Sequence, residues 1–335
     1  MAHGAAGVLW ALRAAGAGRV PEGEQWLLEQ AFRDRPDVPA GFYNGRHGIA
    51  YALWELGRQE AAVDLLSRLP ESAPGDTDLS LGDGLAGMGL NWLHFARACG
   101  DDRYLRRALD TADLVRDRLG DIADVAEVSG GAHPYAGLMR GASGPALFLT
   151  AVFEQTGDTG YLDAAEVALR QDLRRCLRDE HGIPQVNEGF RLMPYLETGS
   201  VGIGIALDRY LISRPDPALE AELAAIQRAA RMSFYIFPGL FQGRAGMILF
   251  NASHQPAGAR PAAAQVAGLN WHALDWRGHL AFPGSHLLRM SMDLATGSAG
   301  VLLALAAAGT AATEPERRLS LPFLLPPKTS GRTLG

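Results

Sequence analysis

Two cysteines, Cys99 and Cys176, are the only thiols in 335 residues. So few exclude a disulfide framework and fit a reducing compartment, the cytoplasm. Neither sits in a Cys-x-x-Cys, and no His-x-x-x-His occurs. The short spacings that commonly gather a zinc ion are therefore missing. No apolar run reaches the ~18–20 residues of a membrane span. The formal net charge is −6, and no basic stripe is available for phosphates, which excludes an evident nucleic-acid partner. The apolar start, Met1 to Gly18, lacks the basic region of a signal peptide and fits the repeat described next.

What the chain has in quantity is apolar surface and glycine: 47% apolar residues and 40 glycines, with only 20% charged residues. This suffices for one large core, although the length alone also allows two domains. Gly-x-x-Gly followed by an apolar run recurs seven times, at Gly4–Gly7, Gly45–Gly48, Gly84–Gly87, Gly141–Gly144, Gly199–Gly202, Gly243–Gly246 and Gly297–Gly300. Successive motifs lie 39 to 58 residues apart, a spacing typical of arrays and closed rings. The runs (VLWALRAAG, IAYALWELG, PALFLTAVFEQTG and their kin) are apolar nearly all round and should be buried. Between them, Asp102–Gly120 and Thr159–Arg178 carry apolar residues at helical spacing with charges elsewhere, the pattern of helices with one wet face. The chain thus reads as all-α: an α/α toroid of seven helix-pair repeats, each inner helix opening at its Gly-x-x-Gly.

The glycines read as packing residues that let neighbouring backbones approach. Inner-helix N-termini should then gather at one mouth, where free N–H groups and dipoles favour anions. The long connections, residues 121–140, 179–198 and 265–296, are expected over that mouth, where function concentrates on loops. The toroid is expected over residues 1–312. The Pro-rich tail, 313–335, reads as a surface or disordered segment. The first motif opens at residue 4 without a preceding outer helix, which suggests a domain cut from a longer chain.

Seven such motifs, with GLFQGRAGM, PYLETGSVGIGIAL, AFPGSHLLRMSMDLATGSAGVLLAL and LPFL, resemble the lanthionine synthetase C-like family across essentially the whole chain. Within it, the chain is most similar to the cyclase domain of class III lanthipeptide synthetases. The resemblance implies kinase and lyase domains on the same synthetase, which phosphorylate Ser and Thr of a precursor peptide and eliminate phosphate. The cyclase domain then adds peptide Cys thiols to the resulting dehydroalanine or dehydrobutyrine, giving lanthionine or labionin rings.

Zinc-dependent relatives carry a Cys two residues before the first Gly of the fifth motif, and Cys-His directly before that of the sixth. Here those places hold Glu197, Phe241 and Gln242. Arg140 stands where relatives have His in the fourth motif, and Ser80 where Asp is expected in the third, with Asp78 and Asp83 close by. The resemblance therefore implies a zinc-less cyclase with no metal or other cofactor.

Without a metal, Michael addition needs a general base, a proton donor and groups held close. Candidate catalytic residues are Arg140, Tyr195, Glu197, Gln242, His133, His272, His279 and His286. Glu197 and Gln242 fill vacated ligand positions. Arg140 can stabilise an enolate, and histidine titrates near neutrality. Asp83, Arg244 and Tyr43 are candidate substrate-binding residues for the dehydrated precursor peptide. Structural readings stand beside these: Arg140 paired with Glu197 or Asp83, His272 buried and hydrogen-bonded, Tyr195 packed as an aromatic. Two other functions remain open, a non-catalytic scaffold for the precursor and a glycoside hydrolase. The latter needs two facing carboxylates, roughly 5–10 Å apart, and Asp83 and Glu197 are the pair available. Trp271 and Trp276 are the only evident sugar-stacking residues.

Overall fold

A computed structural model describes residues 1–35, 37–70, 75–253, 261–314 and 317–326. Each Gly-x-x-Gly opens an inner helix: α1 (Ala5–Ala14), α3 (Arg46–Glu55), α5 (Leu85–Cys99), α7 (Ser143–Thr156), α9 (Ser200–Ser213), α11 (Arg244–Ser253) and α13 (Ser298–Thr313). Alternating with them are outer helices α2 (Pro21–Ala31), α4 (Gln59–Ser67), α6 (Asp102–Arg118), α8 (Thr159–Leu173), α10 (Pro217–Ala229) and α12 (Pro261–Gly268). Each inner helix packs on the next, and α13 packs on α1, so the ring is closed. In α6 the buried residues are Tyr104, Ala108, Ala112 and Val115, one stripe of an amphipathic helix. In α7 all ten residues from Ser143 to Val152 are buried.

The ring is sewn by its backbone. The residue two places before the first Gly of every motif donates its N–H to the carbonyl of its counterpart in the next repeat. The chain of donors runs Ala2, Tyr43, Gly82, Met139, Glu197, Phe241 and Ala295, and Ala295 donates back to Ala2; these N···O distances are 2.6–3.0 Å. Gly202 shows why glycine is required behind this circle. A Cβ there would collide with the Leu196 carbonyl oxygen of its own motif and press on Leu138 of the preceding one.

Four features differ from the sequence-based expectation. First, the described residues hold seven inner but six outer helices, so the seventh repeat has no outer partner among them. Second, the helix expected over Thr159–Arg178 stops at Leu173. Asp172 turns inward, and its carboxylate accepts from the N–H groups of Gly137 (3.0 Å), Ala142 (3.2 Å) and Ser143 (2.8 Å) and from Ser143 Oγ (2.6 Å), capping α7. Third, the chain beyond it becomes an antiparallel sheet of β1 (Cys176–Arg178), β2 (Pro184–Asn187) and β3 (Leu192–Met193). Cys176 is thus on a strand. A hairpin, β4 (Leu274–Trp276) and β5 (His279–Ala281), lies before the last repeat.

The fourth difference is the C-terminal segment, which is not a loose surface tail. Leu321 and Leu324 are buried. Phe323 packs on Phe42, Tyr51 and His94, with ring centroids 4.8, 5.2 and 6.0 Å away. Its carbonyl accepts from Arg209 Nη1 at 2.6 Å, and Arg209 is itself clamped on Glu154 (2.9 and 2.6 Å). Phe323 and Leu325 line a cavity with Leu90, Leu93 and Ala151 of the inner helices. Residues 315, 316 and 327–335 of the expected tail lie outside the described residues. Among the described residues, no helix is long and apolar enough to cross a membrane.

Gly202→Ala is expected to cost about 1–3 kcal/mol from overpacking, measured by chemical denaturation, whereas Gly309→Ala, in exposed helix with open space around it, should gain about 0.5–1 kcal/mol. Acid should also unfold the toroid. Burial lowers His47 from its ordinary 6.5 to about 3, so the folded ring stays neutral while the unfolded one takes up a proton. Stability is therefore lost as pH falls below 6.5, and His47→Gln should flatten that part of the melting-temperature profile.

Candidate functional site

Because inner helices begin at the circle of backbone hydrogen bonds, their N-termini share one mouth. The outer helices run back towards it, so each connection from an outer to the next inner helix crosses that end. The residue directly before each first Gly comes next to the circle: His3, Asn44, Asp83, Arg140, Thr198, Gln242 and Thr296. Many of the polar side chains of the mouth therefore come from one motif position, joined by Glu197 of the circle itself and by residues of the connection into repeat seven.

Between repeats five, six, seven and one lies a pocket of about 200 Å³, lined among others by His3, Glu197, Phe237, Gln242, His286 and Thr296. Gln242 Nε2 donates to Glu197 Oε2 at 2.7 Å. Burial raises the Glu197 carboxyl above the usual carboxylate range, and Asp83 adds to this. The bond from Gln242 and the charges of Arg140 and His3 pull the other way. His3 Nδ1 lies 3.6 Å from Asp293 Oδ1, and this pairing raises the imidazole above its ordinary value, with Glu197 contributing. Burial pushes Asp293 up. Bonds from His3, Ser291 and Thr296 outweigh that and hold it well below the usual range. The pocket thus brings a carboxyl raised by burial near an imidazole raised by its carboxylate partner.

The expected site residues fall into three sets. Glu197, Gln242 and His286 share the pocket, and Arg140 and Asp83 stand beside it on the same mouth. Arg140 is exposed, lies 4.4 Å over the Tyr135 ring and acts on Glu197 through its charge. Asp83 accepts from Asn44 Nδ2 at 2.6 Å. His286 sits in left-handed backbone, φ 54°, with its ring edge-on to Phe237.

Tyr43, Tyr195 and His272 are close by but turned into packing. Tyr43 is 1% exposed and meets Phe241 across the ring, centroids 5.5 Å apart. Tyr195 is buried against Tyr235, and its hydroxyl accepts from the Ile236 N–H. His272 Nε2 lies 2.9 Å from the Ile236 carbonyl.

His133, His279 and Arg244 are not brought to the pocket. His133 and His279 are exposed on their loops. Arg244 is buried, with its guanidinium on Gln265 Oε1 (2.7 Å) and the Ser233 carbonyl (3.0 Å). Conversely, His3, Asp293 and Thr296 escaped sequence reasoning. His3 precedes its glycine as Gln242 does, which was the available signal.

The three places where zinc-dependent relatives hold ligands do converge, but their residues do not suit the ion. Phe241 has no donor atom, and the Gln242 amide nitrogen is committed to Glu197. Among the described residues, no group of three or more His, Cys, Asp or Glu side chains could hold a metal. Neither cysteine lines this pocket. Burial pushes the Cys176 thiol far up, and Cys99 is exposed at the far end of α5.

If this electrostatic description is right, ¹³C NMR titration will place Glu197 above the ordinary 4.5. Arg140→Ala and Gln242→Leu should each raise it further, since each removes an interaction that favours the charged form.

Comparison with known proteins agrees with this architecture. No family model matches the chain. It is 44% identical over 338 residues to a probable SapB synthase of Streptomyces coelicolor, covering 99% of this chain and 36% of that protein. The chain thus spans about a third of the length of that relative. Among solved structures, a nisin cyclase superimposes with a TM-score of 0.63 at 12% identity, covering 91% of this chain and 87% of that one. An unsaturated glucuronyl hydrolase of Streptococcus agalactiae superimposes with 0.49 at 12% identity, covering 92% and 96%. The chain therefore shares the toroid fold of a nisin cyclase, and almost its whole length is similar to about a third of a probable SapB synthase.

Proposed function

We propose that the chain is a cyclase domain that closes thioether rings in a dehydrated precursor peptide by metal-free Michael-type addition. The observation that carries this reading is the joining of Glu197, Gln242, His3 and Asp293 at the mouth. A free thiol near pKa 8.5 is only a few per cent thiolate at neutral pH, yet the thiolate is a strong nucleophile. The Glu197 carboxylate accepts the thiol proton as sulfur bonds to the β-carbon of dehydroalanine or dehydrobutyrine. The π pair moves onto the carbonyl oxygen, where the positive charges of His3 and Arg140 stabilise the enolate. The Glu197 carboxyl then returns its proton to the α-carbon. Gln242 orients Glu197, and Asp293 keeps His3 charged. The product is lanthionine; capture of a second dehydrated residue by the enolate gives labionin.

The substrate must come from reactions that dehydrate Ser and Thr. We assign these to kinase and lyase domains of a longer synthetase, in keeping with the fraction of the SapB synthase that this chain matches. A glycosidase reading is less well supported. Asp83 is engaged by Asn44, and Trp271 and Trp276 do not line the pocket.

The test is ring closure in a dehydrated peptide, followed by thiol alkylation and mass spectrometry, comparing chelator-treated protein with buffer. The domain should accelerate closure, and Glu197→Gln should remove about 10²–10⁴-fold of that acceleration with an unchanged melting temperature. A rate equal to that in buffer, when the longer synthetase accelerates closure, would leave a scaffold only. Loss of rate on chelation would overturn metal independence. The catalysed rate should rise with pH as Glu197 ionises through its raised pKa. It should fall again as His3 loses its proton above its own, and His3→Asn should abolish that alkaline limb.

A further inference from the structure

The pocket is too small for a peptide. At about 200 Å³ it lies below the roughly 300–1,000 Å³ of sites that enclose a drug-sized ligand. A chain carrying both a Cys and a dehydrated residue must therefore lie mostly outside it, on whatever surrounds the mouth. The large apolar side chains exposed to solvent are concentrated on one side of it. Of the 18 large apolar side chains exposed among the described residues, 13 belong to residues 190–192, 232–236 and 271–292. The most open are Trp271 (87%), Leu288 (83%), Phe190 (81%) and Phe234 (74%).

These residues sit on connections that enter repeats five, six and seven, all at the mouth end. The connections are tied to one another and to the pocket. His272 bonds the Ile236 carbonyl at 2.9 Å, the Ile236 N–H bonds Tyr195 beyond β3, and Phe237 meets His286, 6.0 Å away. His286 lines the pocket, and Leu287 and Leu288 follow it directly. Of the four non-glycine residues with left-handed backbone among the described residues, three, Arg277, His286 and Leu287, lie in this lip, the kind of strain that concentrates at ligand clamps. Contiguous exposed apolar surface beside a cleft marks a binding face, and aromatic and leucine side chains provide its anchors.

Resting on the cyclase reading, we infer that this lip is the docking surface for the substrate peptide and selects apolar residues flanking the Cys to be closed. The side chain bearing the thiol enters the pocket, while its apolar neighbours cover Trp271, Leu288 and Phe234.

The experiment uses a fluorescein-labelled peptide with leucines flanking one Cys, its counterpart with asparagines, and fluorescence anisotropy with the whole chain. The leucine peptide should bind about tenfold or more tightly than the asparagine one. The double variant Trp271→Ser, Leu288→Ser should erase the difference. The control Leu114→Ser, Ile212→Ser, which alters exposed apolar residues away from the lip, should keep it. Unchanged melting temperatures verify that both variants fold. In the cyclisation assay the lip variant should raise KM about tenfold and leave kcat alone. Equal binding of both peptides by the wild type, or undiminished preference in the lip variant, overturns the inference. So does a lip variant that dissolves a dimer in light scattering without altering peptide binding, which would assign the face to a second copy. A leucine preference that is lost with the lip, in a protein that closes no ring, supports the docking surface and removes the cyclase reading instead.

Discussion

A closed circle of seven backbone hydrogen bonds, Ala2 to Ala295 and back, sets the position of everything at the mouth. Each inner helix starts a fixed few residues beyond it, so seven helix N-termini converge and the preceding side chains share one surface. The circle also explains the motif. With adjacent backbones this close, a Cβ on the second glycine has nowhere to go, as at Gly202. The glycines act through what they permit, and chemistry is left to the side chains around them.

Those side chains work against one another electrostatically. Converging N–H groups favour negative charge, and burial disfavours it at Glu197. The outcome differs between two carboxylates of one site. Asp293, with bonds from Ser291, Thr296 and His3, is held ionised, while Glu197, with its single amide donor, is poised to exchange a proton. Separation of two acidic groups by environment is a familiar way to assign acid and base roles near neutrality.

Much of this was legible in the sequence, for physical reasons. Seven Gly-x-x-Gly motifs with apolar runs specified the inner ring, and the amphipathic period of Asp102–Arg118 specified an outer helix to within its last turn. Glu197 and Gln242 were found through their place in the motif, which the circle fixes. His3 and Asp293 were missed because they meet only when the ring closes between repeats seven and one. Arg244 was misplaced because its motif position points away from the axis, and sequence does not state side-chain direction. The segment around Phe323 looked like tail because its prolines are local signals, whereas its burial depends on contacts with distant helices. Helix period also ran on through Arg178, where the inward turn of Asp172 ends α8.

The central claim is that groups fixed by the circle deliver the α-proton during ring closure. Cyclisation in D₂O, followed by chiral analysis of the lanthionine, tests it most directly. Proton return from one fixed carboxyl predicts deuterium at an α-carbon of a single configuration with the wild type and a mixture with Glu197→Gln. The same mixture from wild type and from buffer alone would contradict the account.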